Sequence, residues 1–111
     1  MILAILADAS KVESLLNNLS EADFDINDVS VIMQDLQMRD KIARDAGPLK
    51  GTKPPQLSKA LKKAGRSADI TQQCYDAISQ GKVLVAMDVD PKYQPAALEM
   101  FRDMAAEILE E

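Results

Sequence analysis

Residues 1–34 read MILAILADASKVESLLNNLSEADFDINDVSVIMQ, and their pattern of apolar and polar residues indicates the fold class. Residues 1–7 are a short, continuously apolar run, which is typical of a strand buried on both faces of a sheet. The apolar residues that follow recur at helical spacing and predict an amphipathic helix over residues 11–22, with Ser10 as the N-cap of an S-x-x-E capping box. Residues 29–34 are rich in β-branched side chains and predict a second strand. We therefore expect a β-α-β unit with parallel strands and a right-handed crossover.

The rest of the chain predicts four further helices and one further strand. The helices cover residues 36–46, 55–64, 69–80 (with Ser67 as an alternative start) and the stretch from Pro91 to the C-terminus, and the strand covers residues 82–89. The element order is β-α-β-α-α-α-β-α. We predict a single α+β domain over residues 1–111, with a three-stranded sheet and helices packed on it, as a ferredoxin-like variant that lacks one strand. The first strand is expected in the middle, with the second parallel to it and the third on its other edge.

Composition excludes several kinds of chemistry. The chain has no histidine and one cysteine, so Ser-His-Asp and Cys-His catalysis are impossible within one chain, and one cysteine with carboxylates is a poor match to the usual zinc ligand sets. We expect no cofactor. The apolar N-terminal run is short and lacks a positively charged flank, so it is not a signal peptide, and no run approaches the roughly 20 apolar residues that span a bilayer. A lone cysteine suits a reducing compartment. We expect a cytoplasmic protein, and the unpaired sheet edges predict a homodimer.

Charge is strongly segregated along the chain. Residues 37–66 hold nine of the thirteen basic residues and only two acidic ones, a net charge of +7, while the remainder carries −12. The segment is interpreted either as a solvated, lysine-rich connector between the second and third strands or as a basic helical insert that binds an anion or a partner. The candidate contact residues are Lys50, Lys53, Lys59, Lys62, Lys63 and Arg66.

The kind of partner is narrowed by what the basic segment lacks. It contains no aromatic residue on which bases could stack, and the acidic body of the protein would repel a long polyanion, so nucleic acid is disfavoured. The helix over residues 55–64 is too short and too weakly apolar to lie on a membrane. A small anionic ligand or an acidic protein partner fits better.

Three local motifs bear on chemistry. Residues 47–53, GPLKGTK, have the wrong glycine spacing for a nucleotide phosphate loop, although a looser backbone nest for an anion stays open. Asp88 and Asp90 could hold a divalent cation, but Asp90 is better placed as a helix cap. Cys74 lies on the apolar stripe of its helix and is expected to be a buried, unreactive thiol.

Two family resemblances rest on these elements. Residues 6–35, LADASKVESLLNNLSEADFDINDVSVIMQD, and residues 75–91, YDAISQGKVLVAMDVDP, resemble the two halves of bacterial general stress protein 17M-like domains. The resemblance implies a ferredoxin-like α+β fold and a stress association, with no catalytic residues to carry over. The strand GKVLVAMDV, residues 81–89 within that stretch, also resembles a strand of PII-like regulatory proteins, which have a long mobile segment after the second strand.

These observations lead to one function and two alternatives. The leading hypothesis is a small non-enzymatic binding protein, stress-associated, that acts through its basic segment. The first alternative is a PII-like sensor that binds an anionic metabolite or nucleotide. The second is a metal-dependent enzyme that uses Asp88 and Asp90.

Overall fold

The alternation of buried strands and amphipathic helices gives an α+β fold, as predicted. The computed structural model describes residues 1–110, which form four β-strands and five α-helices. The strands are β1 (Ile2–Leu6), β2 (Val29–Ile32), β3 (Val83–Met87) and β4 (Glu107–Ile108). The helices are α1 (Ala9–Glu21), α2 (Leu36–Ile42), α3 (Leu57–Lys63), α4 (Ala68–Ser79) and α5 (Gln94–Asp103). Short 3-10 turns at Ile26–Asp28, Pro54–Gln56 and Pro91–Tyr93 precede β2, α3 and α5.

The sheet has four strands, so the prediction of a three-stranded sheet lacking one strand is wrong. The strand order is β2-β3-β1-β4 and every neighbouring pair is antiparallel. β1 is interior, as predicted, but β2 is not its neighbour: β3 lies between them, which is a split β-α-β arrangement. A β-α-β sequence pattern predicts that two strands run in the same direction, but it does not exclude a third strand between them.

Both faces of the sheet are covered by helices. Along β1, Ile2, Ala4 and Leu6 face α1 and α5, while Leu3 and Ile5 face the opposite side, where α3 and α4 pack. β3 alternates in the same way, and all five of its residues are buried. Two separate aliphatic cores result, one on each face, which explains why these strands are apolar throughout instead of alternating with polar residues.

The helix starts follow capping chemistry, with one correction. Asp8, and not Ser10, caps α1: its carboxylate accepts a hydrogen bond from the backbone N–H of Lys11 at 3.0 Å. The helix therefore begins at Ala9, earlier than the S-x-x-E pattern predicts. Ser67 caps α4, the alternative start given above. α2 ends at Ile42, four residues before the predicted end.

The last helix does not run to the C-terminus as predicted. It ends at Asp103, and Ala105 adopts a left-handed conformation with φ of 56°. The N–H groups of Ala105 and Ala106 donate to the carbonyls of Arg102 and Phe101, which is a Schellman closure. The chain then reverses and β4 pairs with β1, so the fourth strand comes from residues that the sequence pattern places in a helix.

None of the helices in the described part of the chain is both long enough and apolar enough to cross a membrane.

Candidate anion-binding groove

Helix α3 carries most of the predicted lysines, and its position depends on two leucines. Leu57 and Leu61, one helical turn apart, are fully buried against the sheet face that also holds Leu3 and Ile5. This anchoring leaves the opposite side of α3 to solvent, and Lys59, Lys62 and Lys63 are exposed there.

A loop over residues 45–52 stands beside α3 and is attached to the edge strand β2. The hydroxyl of Ser30, the one buried polar side chain among the described residues, donates to the carbonyl of Ala46 at 2.5 Å and accepts from the N–H of Leu49 at 2.8 Å. Gly47 packs so closely on β2 that a Cβ there would lie 2.6 Å from the Ser30 nitrogen, and its φ is +80°. Gly47 is therefore required for close contact with the strand and does not mark the end of α2.

The backbone N–H groups of this loop are used within the chain. Lys50 donates to the carbonyl of Gly47 at 3.2 Å, Gly51 to the carboxylate of Asp45 at 2.9 Å, and Thr52 to the carbonyl of Leu49 at 3.1 Å. Together with the Leu49–Ser30 bond, these interactions leave no run of free amides over residues 49–52. An anion at this loop would have to be held by side chains, so the backbone-nest hypothesis loses its donors.

Between this loop and α3 lies a groove of about 470 Å³, here called the lysine groove. Three of the six predicted cations line it: Lys50 from the loop, and Lys59 and Lys63 from α3. The half-buried Ala60 contributes apolar surface to the same groove, Leu49 lies almost wholly buried beneath it, and none of its lining residues is acidic. The arrangement combines three positive charges with a small apolar surface.

The other three predicted cations lie elsewhere. Lys62 and Arg66 line a second groove on the α4 side of α3, where Arg66 Nη2 donates to the carbonyl of Met1 at 2.6 Å. Lys53 lies in a small cavity of about 50 Å³ at the end of β2, together with Arg39 and Asp45. The structure thus divides the predicted set of six into one group of three, one pair and one separate lysine.

The cations of the lysine groove form no ion pair with any of the described residues 1–110. The ion pairs found within residues 1–110 are those of Arg39 with Asp40, at 2.9 Å, and with Asp45, at 3.7 Å. None of the six predicted cations belongs to them.

Sequence reasoning missed Thr52 and Gln56, which supply a hydroxyl and an amide to the lysine groove, and Ser30, which attaches its loop. Thr52 and Gln56 carry no recognisable sequence signal. Ser30 has one: it is a polar residue in an otherwise apolar strand, and a buried hydroxyl needs hydrogen-bond partners.

The remaining candidates have structural roles. Cys74 is completely buried, as predicted, and burial raises the pKa of its thiol to about 11, against a smaller opposing effect of Arg66. Asp90 accepts from the N–H of Lys92 at 3.0 Å and so caps the turn before α5, while Asp88 is exposed. In the part of the chain that the structure describes, no group of three histidine, cysteine or acidic residues could hold a metal ion.

Comparison with known proteins identifies no relative. No family model, no curated protein and no solved structure matches the chain. The resemblances to general stress protein 17M-like domains and to PII-like proteins therefore stay predictions, as do the stress association and the cytoplasmic location.

Proposed function

We propose that this chain is a binding protein whose lysine groove receives a compact, multiply charged anion. The observation that carries the proposal is the convergence of Lys50, Lys59 and Lys63 on one groove that has no acidic lining residue. Like charges repel when they are brought together in a fold, and an anion that offsets three of them gains at each contact.

Size and donor chemistry support the same ligand class. A volume of about 470 Å³ falls within the range of roughly 300–1,000 Å³ that is usual for small-molecule sites. Lysine ammonium groups act as mobile point charges and not as rigid bidentate forks, so they recognise the amount of charge more than its geometry. Phosphate or carboxylate groups on a small ligand meet this requirement.

The test uses tripolyphosphate as a probe, measured by calorimetric titration at low and high NaCl. We expect binding that weakens steeply with salt and is lost in the groove variant K50E/K59E/K63E. The charge-matched control K11E/K41E/K92E changes three lysines that are exposed elsewhere, and it should retain binding. Equal loss in both variants would show that only net charge matters and would overturn the proposal, as would no binding by the wild type at low salt.

One observation favours the alternative of a PII-like sensor. A PII-like fold requires a fourth main strand, and β4 supplies a short one beside β1. If the ligand is a nucleotide, ATP should raise the melting temperature of the wild type more than tripolyphosphate does at equal concentration, because the base would add contacts. Equal shifts would count against the nucleotide.

A further inference from the structure

The acidic turn between α1 and β2 is opposite in charge to the lysine groove. It is defined by Glu21, Asp23, Asp25 and Asp28, and it contains no basic residue. All four side chains are exposed, and none forms an ion pair with any of residues 1–110. The chain thus presents an unneutralised acidic turn and an unneutralised lysine groove.

The acidic turn also carries an apolar side chain. Ile26 is 43% exposed, which makes it one of the few large apolar side chains that the fold leaves in water. The lysine groove offers a small apolar surface to it, since the half-buried Ala60 lies among its cations, whereas Leu49 beneath them is only 4% exposed. A segment with carboxylates around one aliphatic residue fits this groove better than a purely ionic ligand, because it also buries apolar surface.

Both surfaces border the same edge of the sheet. The acidic turn leads directly into the edge strand β2, and the loop of the lysine groove is attached to β2 through Ser30. A third groove, lined by Ile26 and α2 residues including Lys41, adjoins the acidic turn. A twofold axis beside this edge that passes between two complementary surfaces places each of them on its counterpart in a second copy.

From this complementarity we infer that the lysine groove receives the acidic turn of a second copy of the same chain, in a twofold dimer that makes the contact twice. The inference rests on the proposed function, because it names a partner for the same groove. The dimer is held by exposed charges and two aliphatic contacts, so its dissociation constant is expected at about 10–100 µM at low salt. A compact anion in the groove competes with the turn and dissociates the dimer.

The experiment is a charge exchange followed by sedimentation velocity. The groove variant is K50E/K59E/K63E, and the turn variant is E21K/D23K/D28K, which makes the turn net positive and leaves Asp25 in place because it caps the turn before β2. Each variant alone should be monomeric, since like charges then face one another. An equimolar mixture should dimerise, because each of its two contacts pairs acidic with basic side chains. I26A should weaken the wild-type dimer about tenfold through the lost aliphatic contact.

The control E99K/D103K reverses two exposed acidic residues on α5 and should dimerise like the wild type. The inference is overturned if the wild type is monomeric at low salt up to about 1 mM, if the mixture of variants stays monomeric while both remain folded by circular dichroism, or if the α5 control is also monomeric. A wild type that binds tripolyphosphate but stays monomeric refutes the dimer and leaves the proposed function intact. A wild type that dimerises without binding tripolyphosphate refutes the small-anion proposal and not the dimer.

Discussion

Gly47 determines how closely the loop of the lysine groove approaches β2. Its φ of +80° and the 2.6 Å approach to Ser30 both exclude a Cβ without movement. We expect Gly47→Ala to lower the free energy of unfolding by about 2–5 kcal/mol, from left-handed strain plus overpacking. Urea unfolding measures this difference.

The matched control is Gly51, in the same loop. Its φ is +78°, but a Cβ there would meet nothing within 4 Å. Gly51→Ala should therefore cost only the backbone strain, about 1–2 kcal/mol. Equal costs at the two positions would show that the close approach of Gly47 to the strand does not matter for stability.

Cys74 makes the free energy of unfolding depend on pH in the alkaline range. The fold raises the pKa of its thiol from 9.0 to about 11, mainly by burial, so the folded state favours the neutral thiol. This contribution is complete below about pH 9, where the thiol is protonated in both states, and it is lost as the pH rises through 11. The free energy of unfolding that is lost in this way is roughly 3 kcal/mol.

The measurement compares the wild type with Cys74→Ala by urea unfolding between pH 8 and pH 11. The cavity in the variant costs the same at every pH, so the difference in free energy of unfolding between the two proteins should narrow above pH 9. A constant difference would mean that the thiol is accessible to water in the folded state.

At the scale of elements, the end of α5 decides whether the fourth strand forms. Residues 104–110, MAAEILE, are mostly strong helix formers and carry no glycine or proline stop, so local propensity predicts a continuous helix. The structure instead places Ala105 in the left-handed region, and Leu109 becomes buried in the core on the α3–α4 face. Burial of this leucine and pairing with β1 outweigh the modest preference for helix.

Ala105→Gly should stabilise the protein, because glycine adopts the left-handed conformation without steric cost. We expect a gain of about 0.5–1 kcal/mol in the free energy of unfolding. The control Ala96→Gly, at an exposed position in α5, should lose up to about 1 kcal/mol. If both changes destabilise, the Schellman closure at Ala105 is not the conformation in solution.

At the scale of the whole molecule, repulsion between the lysines of α3 lowers the stability of the fold. Lys59 has Lys62 and Lys63 three and four residues further along α3, so two like charges lie one helical turn away from it. Lys59→Glu would turn this repulsion into attraction and should raise the free energy of unfolding by about 0.5 kcal/mol. The same change should weaken tripolyphosphate binding.

The control for this trade-off is Lys11→Glu. Lys11 occupies the same third position of its helix, and is equally exposed, but it has no charged residue three or four positions further on. The Lys11→Glu variant should gain only the small stabilisation that an acidic residue near a helix N-terminus gives, and it should retain full tripolyphosphate binding. Loss of binding in both variants would argue against a specific groove.

The candidate site could be predicted only in part. The lysines were identifiable because charge segregation is visible in one dimension, and Leu57 and Leu61 on α3 show which side of that helix is buried. How the lysines divide between the grooves was not predictable, because the position of the loop determines whether Lys63 or Lys62 lies beside Lys50. That position is set by the contact of Gly47 with β2 and by the hydrogen bonds of Ser30, which join residues 16–19 positions apart.

Local sequence patterns predicted the α+β class, five helices, the first three strands, the interior position of β1 and the burial of Cys74. These follow from apolar periodicity, caps and glycine stops, which act over a few residues. Three features became visible in the folded chain alone: β3 lies between β1 and β2, residues 107–108 form β4, and three lysines line one groove. Each of these depends on contacts between distant residues, whose burial and hydrogen bonds outweigh local preference.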